Sequence, residues 1–150
     1  MKPTPDVLHR LSNRLYRRGL IMPARIIQAL IFLVFSAVLP ADVSIGKRTR
    51  YAHGGVGVVL NSHAKIGDHV MIAHGVTIGG RSRQRRYPII EDDVFIGTGA
   101  KILGDLTIGH HSIIGANSVV LSSIPPHSVA VGIPARVIQS GIDPFEIEDW

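Results

Sequence analysis

An aliphatic side chain recurs at every sixth position through the second half of this chain. Ile66, Ile72 and Ile78 form one run. Ile90, Ile96, Ile102, Ile108, Ile114 and Val120 form another. Four residues after most of these stands a small or apolar side chain: Val70, Val76, Val94, Ala100, Leu106, Ser112, Ser118, Ile124. Helices repeat every 3.6 residues and strands every 2, so neither generates a strict period of six. Hexapeptide repeats are a signature of parallel β-helices, in which short strands stack coil upon coil. The period therefore constrains the architecture before any chemistry is considered.

The same ruler divides the chain. Residues 1–38 read as an N-terminal helical segment. Leu8, Leu11, Leu15 and Tyr16 share one face of a helix over 5–18, and Gly19 ends it. A second helix is expected from about Pro23 to Ala37, with Pro40 as its breaker. Residues 39–126 read as the β-helix. Leu39, Ile45 and Tyr51 keep the step of six, but the next core position is Leu60, so three residues are inserted near Gly54–Val59. A polar loop, 79–89, interrupts the repeat again between Ile78 and Ile90. Polar excursions from a regular scaffold are more often functional than structural. Residues 127–150 read as a C-terminal loop and acidic tail.

Composition narrows the chemistry. There is no cysteine, which excludes disulfides, thiolate metal sites and a cysteine nucleophile. The formal charge is +5, with Arg and Lys crowded at 10–25, 47–50 and 81–86. Such a surface favours anionic partners, among them phosphate-bearing cofactors. No nucleic-acid recognition motif accompanies the charge. The apolar run Ile26–Leu39 is shorter than the ~20 residues that span a bilayer, and it lies too far along the chain for a signal peptide. The expectation is a cytoplasmic protein, with residues 20–39 as the part able to meet the inner face of a membrane.

Three strands of six residues make one triangular coil of about 18 residues, and coils stack about 4.8 Å apart. His53 lies two residues after core position Tyr51, and His74 two after Ile72. Their separation is one coil plus the three inserted residues. The two imidazoles are expected on one face, one rung apart.

Several stretches make the chain identifiable. They are Pro40-Ala41-Asp42-Val43-Ser44-Ile45-Gly46, His53-Gly54-Gly55-Val56-Gly57-Val58-Val59, Gly75-Val76-Thr77-Ile78-Gly79-Gly80, Gly97-Thr98-Gly99-Ala100-Lys101-Ile102-Leu103-Gly104, Ile114-Gly115-Ala116-Asn117-Ser118-Val119-Val120-Leu121, Pro125-Pro126-His127 and Gly132-Ile133-Pro134-Ala135-Arg136. In this order they resemble the serine acetyltransferase branch of the left-handed hexapeptide-repeat acyltransferases, over about two thirds of the chain. The resemblance implies a left-handed β-helix, a homotrimer (or a hexamer of two trimers) and acetyl-CoA as donor, with no metal. Carried over by position, His53 matches the catalytic histidine. Gly79, Gly80, Thr98 and Ala116 match positions lining the coenzyme A groove, and Arg136 lies near that cofactor. His74 is a second catalytic candidate beside His53. Arg86 and Tyr87, in the polar loop, are candidates for holding the acceptor.

The departures point elsewhere for the acceptor. The family places an aspartate directly before the catalytic histidine, where this chain has Ala52. A second aspartate precedes the first coil, near Ala37 here. A histidine precedes the proline closing the loop, where this chain has Tyr87. The expected reaction is therefore O-acetylation of a sugar or polysaccharide-precursor hydroxyl, with His53 as general base. Three alternatives stand beside it: a serine O-acetyltransferase, a zinc enzyme resembling γ-class carbonic anhydrases that uses His53, His69 and His74, and a non-catalytic trimer.

Overall fold

A computed structural model describes residues 5–82 and 84–142. The acidic end of the chain lies outside the described residues. Two helices precede the repeats. Helix α1 spans Pro5–Arg17 and α2 spans Ile21–Phe35. The second starts two residues earlier than the sequence predicts. Pro23 stands in its first turn, where the missing N–H has no intrahelical partner to lose. It ends at Phe35, short of Ala37, because Ser36 turns left-handed (φ 51°) and its N–H closes on Phe32 O at 2.8 Å.

Thereafter the chain winds as a β-helix of two- and three-residue strands. Strands β1 (Ser44–Ile45), β4 (Lys65–Ile66), β7 (Ile89–Ile90) and β10 (Thr107–Ile108) form one face. Strands β2 (Arg50–Tyr51), β5 (Met71–Ile72), β8 (Phe95–Ile96) and β11 (Ile113–Ile114) form the second. Strands β3 (Val59–Leu60), β6 (Thr77–Gly79), β9 (Lys101–Leu103) and β12 (Val119–Val120) form the third. All pairs within these coils are parallel.

The six-residue period is the core. Ile72, Ile78, Ile96, Ile102, Ile108, Ile114 and Val120 are fully buried, as are Val70, Val76 and Ala100 from the companion positions. Ser112 and Ser118 are buried too, and both hydroxyls are partnered: Ser112 Oγ donates to Pro125 O, and Ser118 Oγ accepts from Gly132 N. A paired hydroxyl is tolerated where an unpaired one is costly. Ile45 is the exception, half-buried in the first coil.

Register records both interruptions. Above the loop, Ile90 pairs with Ile108, one plain coil apart. Across it, Ile66 pairs with Ile90, so the loop adds six residues to the coil. Tyr51 pairs with Ile72 while Leu60 pairs with Ile78, which confines the three-residue insertion to the segment between Tyr51 and Leu60.

Residues 128–140, read from sequence as loop, instead form an antiparallel hairpin. It comprises β13 (Ser128–Gly132) and β14 (Ala135–Ser140), and β13 pairs with β11. Leaving the top of a solenoid open would expose unpaired strand edges. The hairpin extends the second face instead, and Gly132-Ile133-Pro134 makes its turn.

Candidate active site

The prism has three corners, and each carries different side chains. The second corner, between the β2 face and the β3 face, holds His53 and His74. The insertion there is a short kinked turn, Ala52–Gly55, with left-handed backbone at His53 (φ 51°), Gly54 and Gly55. Left-handed non-glycine residues recur at other corners of this helix, so the conformation alone marks nothing. What sets His53 apart is that the coil closes without it: Gly75 N bonds to Val56 O, so the backbone ladder skips the inserted turn. His53 is consequently pushed out and exposed. A side chain on Gly55 would press on Tyr51, whose buried ring supports the turn from below. Burial pushes the Tyr51 phenol up from its ordinary value, so it remains neutral.

The rings of His53 and His74 meet edge to face, centroids 5.0 Å apart. His74 is half-buried, and its Nδ1 has no partner among the described residues. Above His74 on the same corner come Thr98 and Ala116. Gly99 N bonds to His74 O, and Asn117 N bonds to Thr98 O. The corner is lined by backbone with little side-chain bulk: Gly57, Gly75 and Gly99 stack with positive φ, and Asn117 continues the column. Val131, from the hairpin, packs against Gly115, and Gly132 N bonds to Ser118 Oγ. The hairpin turn, and with it exposed Arg136, therefore sits at the upper end of this corner. His74, Thr98, Ala116 and the hairpin turn thus occupy successive rungs of one ridge, with His53 beside its foot.

Sequence reasoning overlooked one contributor. Lys101, on β9, donates from Nζ at 2.6 Å to the carbonyl of Gly75, the residue that follows His74. Its signal was a lysine in a glycine-rich repeat, to which no role was assigned.

The remaining candidates are elsewhere in a single chain. Gly79, Gly80, Arg86 and Tyr87 belong to the third corner, at the far end of the β6 face. About five residues of near-extended chain, roughly 15 Å, separate Gly79 from His74. Tyr87 stacks on His63 (centroids 4.8 Å, planes 19° apart) and covers Gly80. Gln84 Oε1 accepts from Asp105 N, fastening the loop to the coil above. Arg86 is exposed. His69 lies on the first corner, where Asp93 and Arg48 flank it at 3.4 and 3.2 Å. One chain therefore does not assemble the His53–His69–His74 zinc set.

Comparison with known proteins accords with this geometry. Residues 87–122 match the family model described as bacterial transferase hexapeptide (six repeats). The chain is 45% identical over 132 residues to a serine acetyltransferase of Bacillus pumilus, covering 87% of this chain and 60% of the relative. Soybean serine acetyltransferase superposes with a TM-score of 0.84 at 39% identity, over 89% of this chain and 56% of the other. The Brucella abortus enzyme in complex with coenzyme A gives 0.84 at 36% identity, over 91% and 55%. The chain thus spans about three fifths of the length of the curated relative it matches.

These relatives overturn the expectation of a sugar or polysaccharide acceptor. That expectation rested chiefly on Ala52 and Tyr87. Within a single chain Tyr87 stacks on His63, on another corner from His53. Two side chains cannot outweigh a match to serine acetyltransferases that runs through 132 residues. By repeat, fold and sequence the chain is similar to the hexapeptide-repeat, left-handed β-helix acyltransferases.

Proposed function

We propose that this chain is an acetyl-CoA-dependent serine O-acetyltransferase in which His53 is the general base. The observation that carries the reading is the second corner. It brings His53 and His74 together at the foot of a ridge bare of large side chains. From His53 to the hairpin turn is about four rungs, or about 19 Å. The pantetheine arm of coenzyme A is as long as about five extended residues, a matching span. The thioester would lie by His53 and the phosphates by Arg136, where charge-assisted contact is available.

In the proposed step His53 removes the proton from the serine hydroxyl as its oxygen attacks the thioester carbonyl. The tetrahedral intermediate collapses, the C–S bond breaks, and the sulfur of coenzyme A takes the proton back from His53. Histidine suits the double role because its ordinary pKa lies near working pH. The mechanism is direct transfer, since no serine hydroxyl or cysteine thiol accompanies His53 in the sequence.

The assembly is proposed to be a homotrimer. The third corner of one subunit, packed against the second corner of the next, would bring Gly79, Gly80, Arg86 and Tyr87 to His53. Backbone N–H groups at Gly79–Gly80 would then be placed to stabilise the oxyanion. Exposed apolar side chains support association: Met22, Ile26, Phe32 and Leu33 of α2 stand in solvent on a single chain. Among the described residues no helix is long and apolar enough to cross a membrane. Acetyl-CoA and free serine as substrates accord with a cytoplasmic site of action.

The test is release of free thiol from acetyl-CoA with L-serine, against a panel of sugars. Serine-dependent release that disappears in His53→Ala is the expected result. Turnover with sugars alone, or full activity in His53→Ala, would refute the reading.

A further inference from the structure

The first corner, between the β1 face and the β2 face, carries a column of polar side chains. Arg48, His69, Asp93, His111 and His127 occupy equivalent left-handed positions, one per coil, with φ between 55° and 58°. Backbone bonds lock the rungs: His111 N to Asp92 O, and His127 N to His110 O. At the top of the column three histidines converge. Ring centroids of His110, His111 and His127 lie 5.0–5.4 Å from one another. One ring nitrogen from each falls within 4.8 Å of the other two.

We propose that His110, His111 and His127 form a binding site for one divalent transition-metal ion of the Zn2+ type. The hydrogen bonds behind the rings are the second observation. His110 Nδ1 lies 3.0 Å from Glu91 Oε2, and His127 Nδ1 lies 3.1 Å from Ile142 O. Carboxylate and carbonyl oxygens only accept here, so both Nδ1 atoms carry the proton. Each Nε2 is left as a bare lone pair. This is the arrangement by which carboxylates and carbonyls orient metal-binding imidazoles.

The donor set selects the ion. Imidazole nitrogens suit Zn2+, Co2+, Ni2+ and Cu2+, whereas Mg2+ and Ca2+ prefer oxygen. Three imidazoles with water completing the shell make a sensible zinc set. At a bond length of about 2.05 Å, tetrahedral ligands stand about 3.3 Å apart. Closing from the observed spacing takes χ rotations, and the His110 side chain, 45% exposed, has open space on one side in which to make them.

The ion would fasten the C-terminal hairpin. His127 leads into β13, and Ile142 follows β14, with Ile142 N bonded to His127 O. His110 and His111 belong to the coil below. The site is on a different corner from His53, so it ties the upper end of the solenoid together and takes no part in acyl transfer.

The experiment uses protein stripped with chelator, titrated with Zn2+ by calorimetry and with Co2+ by visible absorption. The expected result is one ion per chain and a raised unfolding temperature with Zn2+. His110→Ala and His127→Ala should each weaken binding at least about a hundredfold and abolish the thermal shift. Glu91→Gln, which touches no ion, should weaken it about 10–100-fold. Circular dichroism identifies any variant that fails to fold, and Glu91→Gln then carries the comparison. Absence of saturable binding at micromolar Zn2+, or affinity unchanged in the folded variants, overturns the proposal.

Discussion

The His53 and His74 rings meet edge to face, planes 89° apart, although one coil and an inserted turn separate them in sequence. His53 is exposed on a protruding turn, and His74 is half-buried beside it. In the proposed mechanism His74 is a positioning residue, and it holds the ring of the base by contact. His74→Ala should lower kcat about 10–100-fold, the scale of a small misplacement of a catalytic group. The KM for acetyl-CoA should stay unchanged, and His74→Phe should restore part of the rate. A rise in KM with intact kcat would place His74 in substrate binding instead.

The ridge above His74 makes a different prediction. Ala116 is exposed, one rung above Thr98. A large ring there would fill the groove without entering the core. Ala116→Trp should weaken coenzyme A binding at least about tenfold, equivalent to about 1.4 kcal/mol. Calorimetric titration with coenzyme A checks it, and unaltered circular dichroism should accompany the loss.

Much of this arrangement was legible in the residues, for a physical reason. A repeat of six fixes which side chains point inward, so Leu60, Ile66, Ile72 and Ile78 could be placed without structure. It also turned sequence distance into spatial distance, which put His53 beside His74. Three things were illegible. The hairpin at 128–140 abandons the six-residue period, so the ruler stops before it. The contact of Lys101 with Gly75 O depends on where a long flexible side chain settles. The acceptor was misjudged because the period locates Tyr87 along the chain but says nothing of its stacking on His63.

The ladder of isoleucines should be unforgiving of truncation. Ile102 is fully buried in a middle coil, and it pairs with Ile78 below and Val120 above. Neighbouring rungs are held by backbone bonds and cannot close on a void. Ile102→Ala should destabilise the fold by about 2–5 kcal/mol, and Ile102→Val by about 0.5–1.5. Urea unfolding curves of the two variants measure the difference. Equal, small losses would mean that the coils collapse around the gap.

His9 should make docking of the helical segment sensitive to pH. It is buried on α1, and its Nε2–H donates to Pro40 O at 3.0 Å. Ser12 and Asn13 add bonds to Ala24 O and Ala41 O, so this face of α1 is tied to α2 and to the first coil. Burial lowers the His9 pKa from its ordinary 6.5; the bond to Pro40 opposes this, and Arg10 reinforces it. A depressed histidine pKa means that the unfolded chain binds the proton first. Stability from this residue is therefore complete above about pH 6.5 and falls as pH drops toward the folded-state value. In His9→Gln, the amide can still donate to Pro40 O but does not titrate. Denaturant unfolding of both proteins between pH 7.5 and 5 should show a shallower loss in His9→Gln. Parallel curves would mean that His9 contributes nothing to the pH dependence.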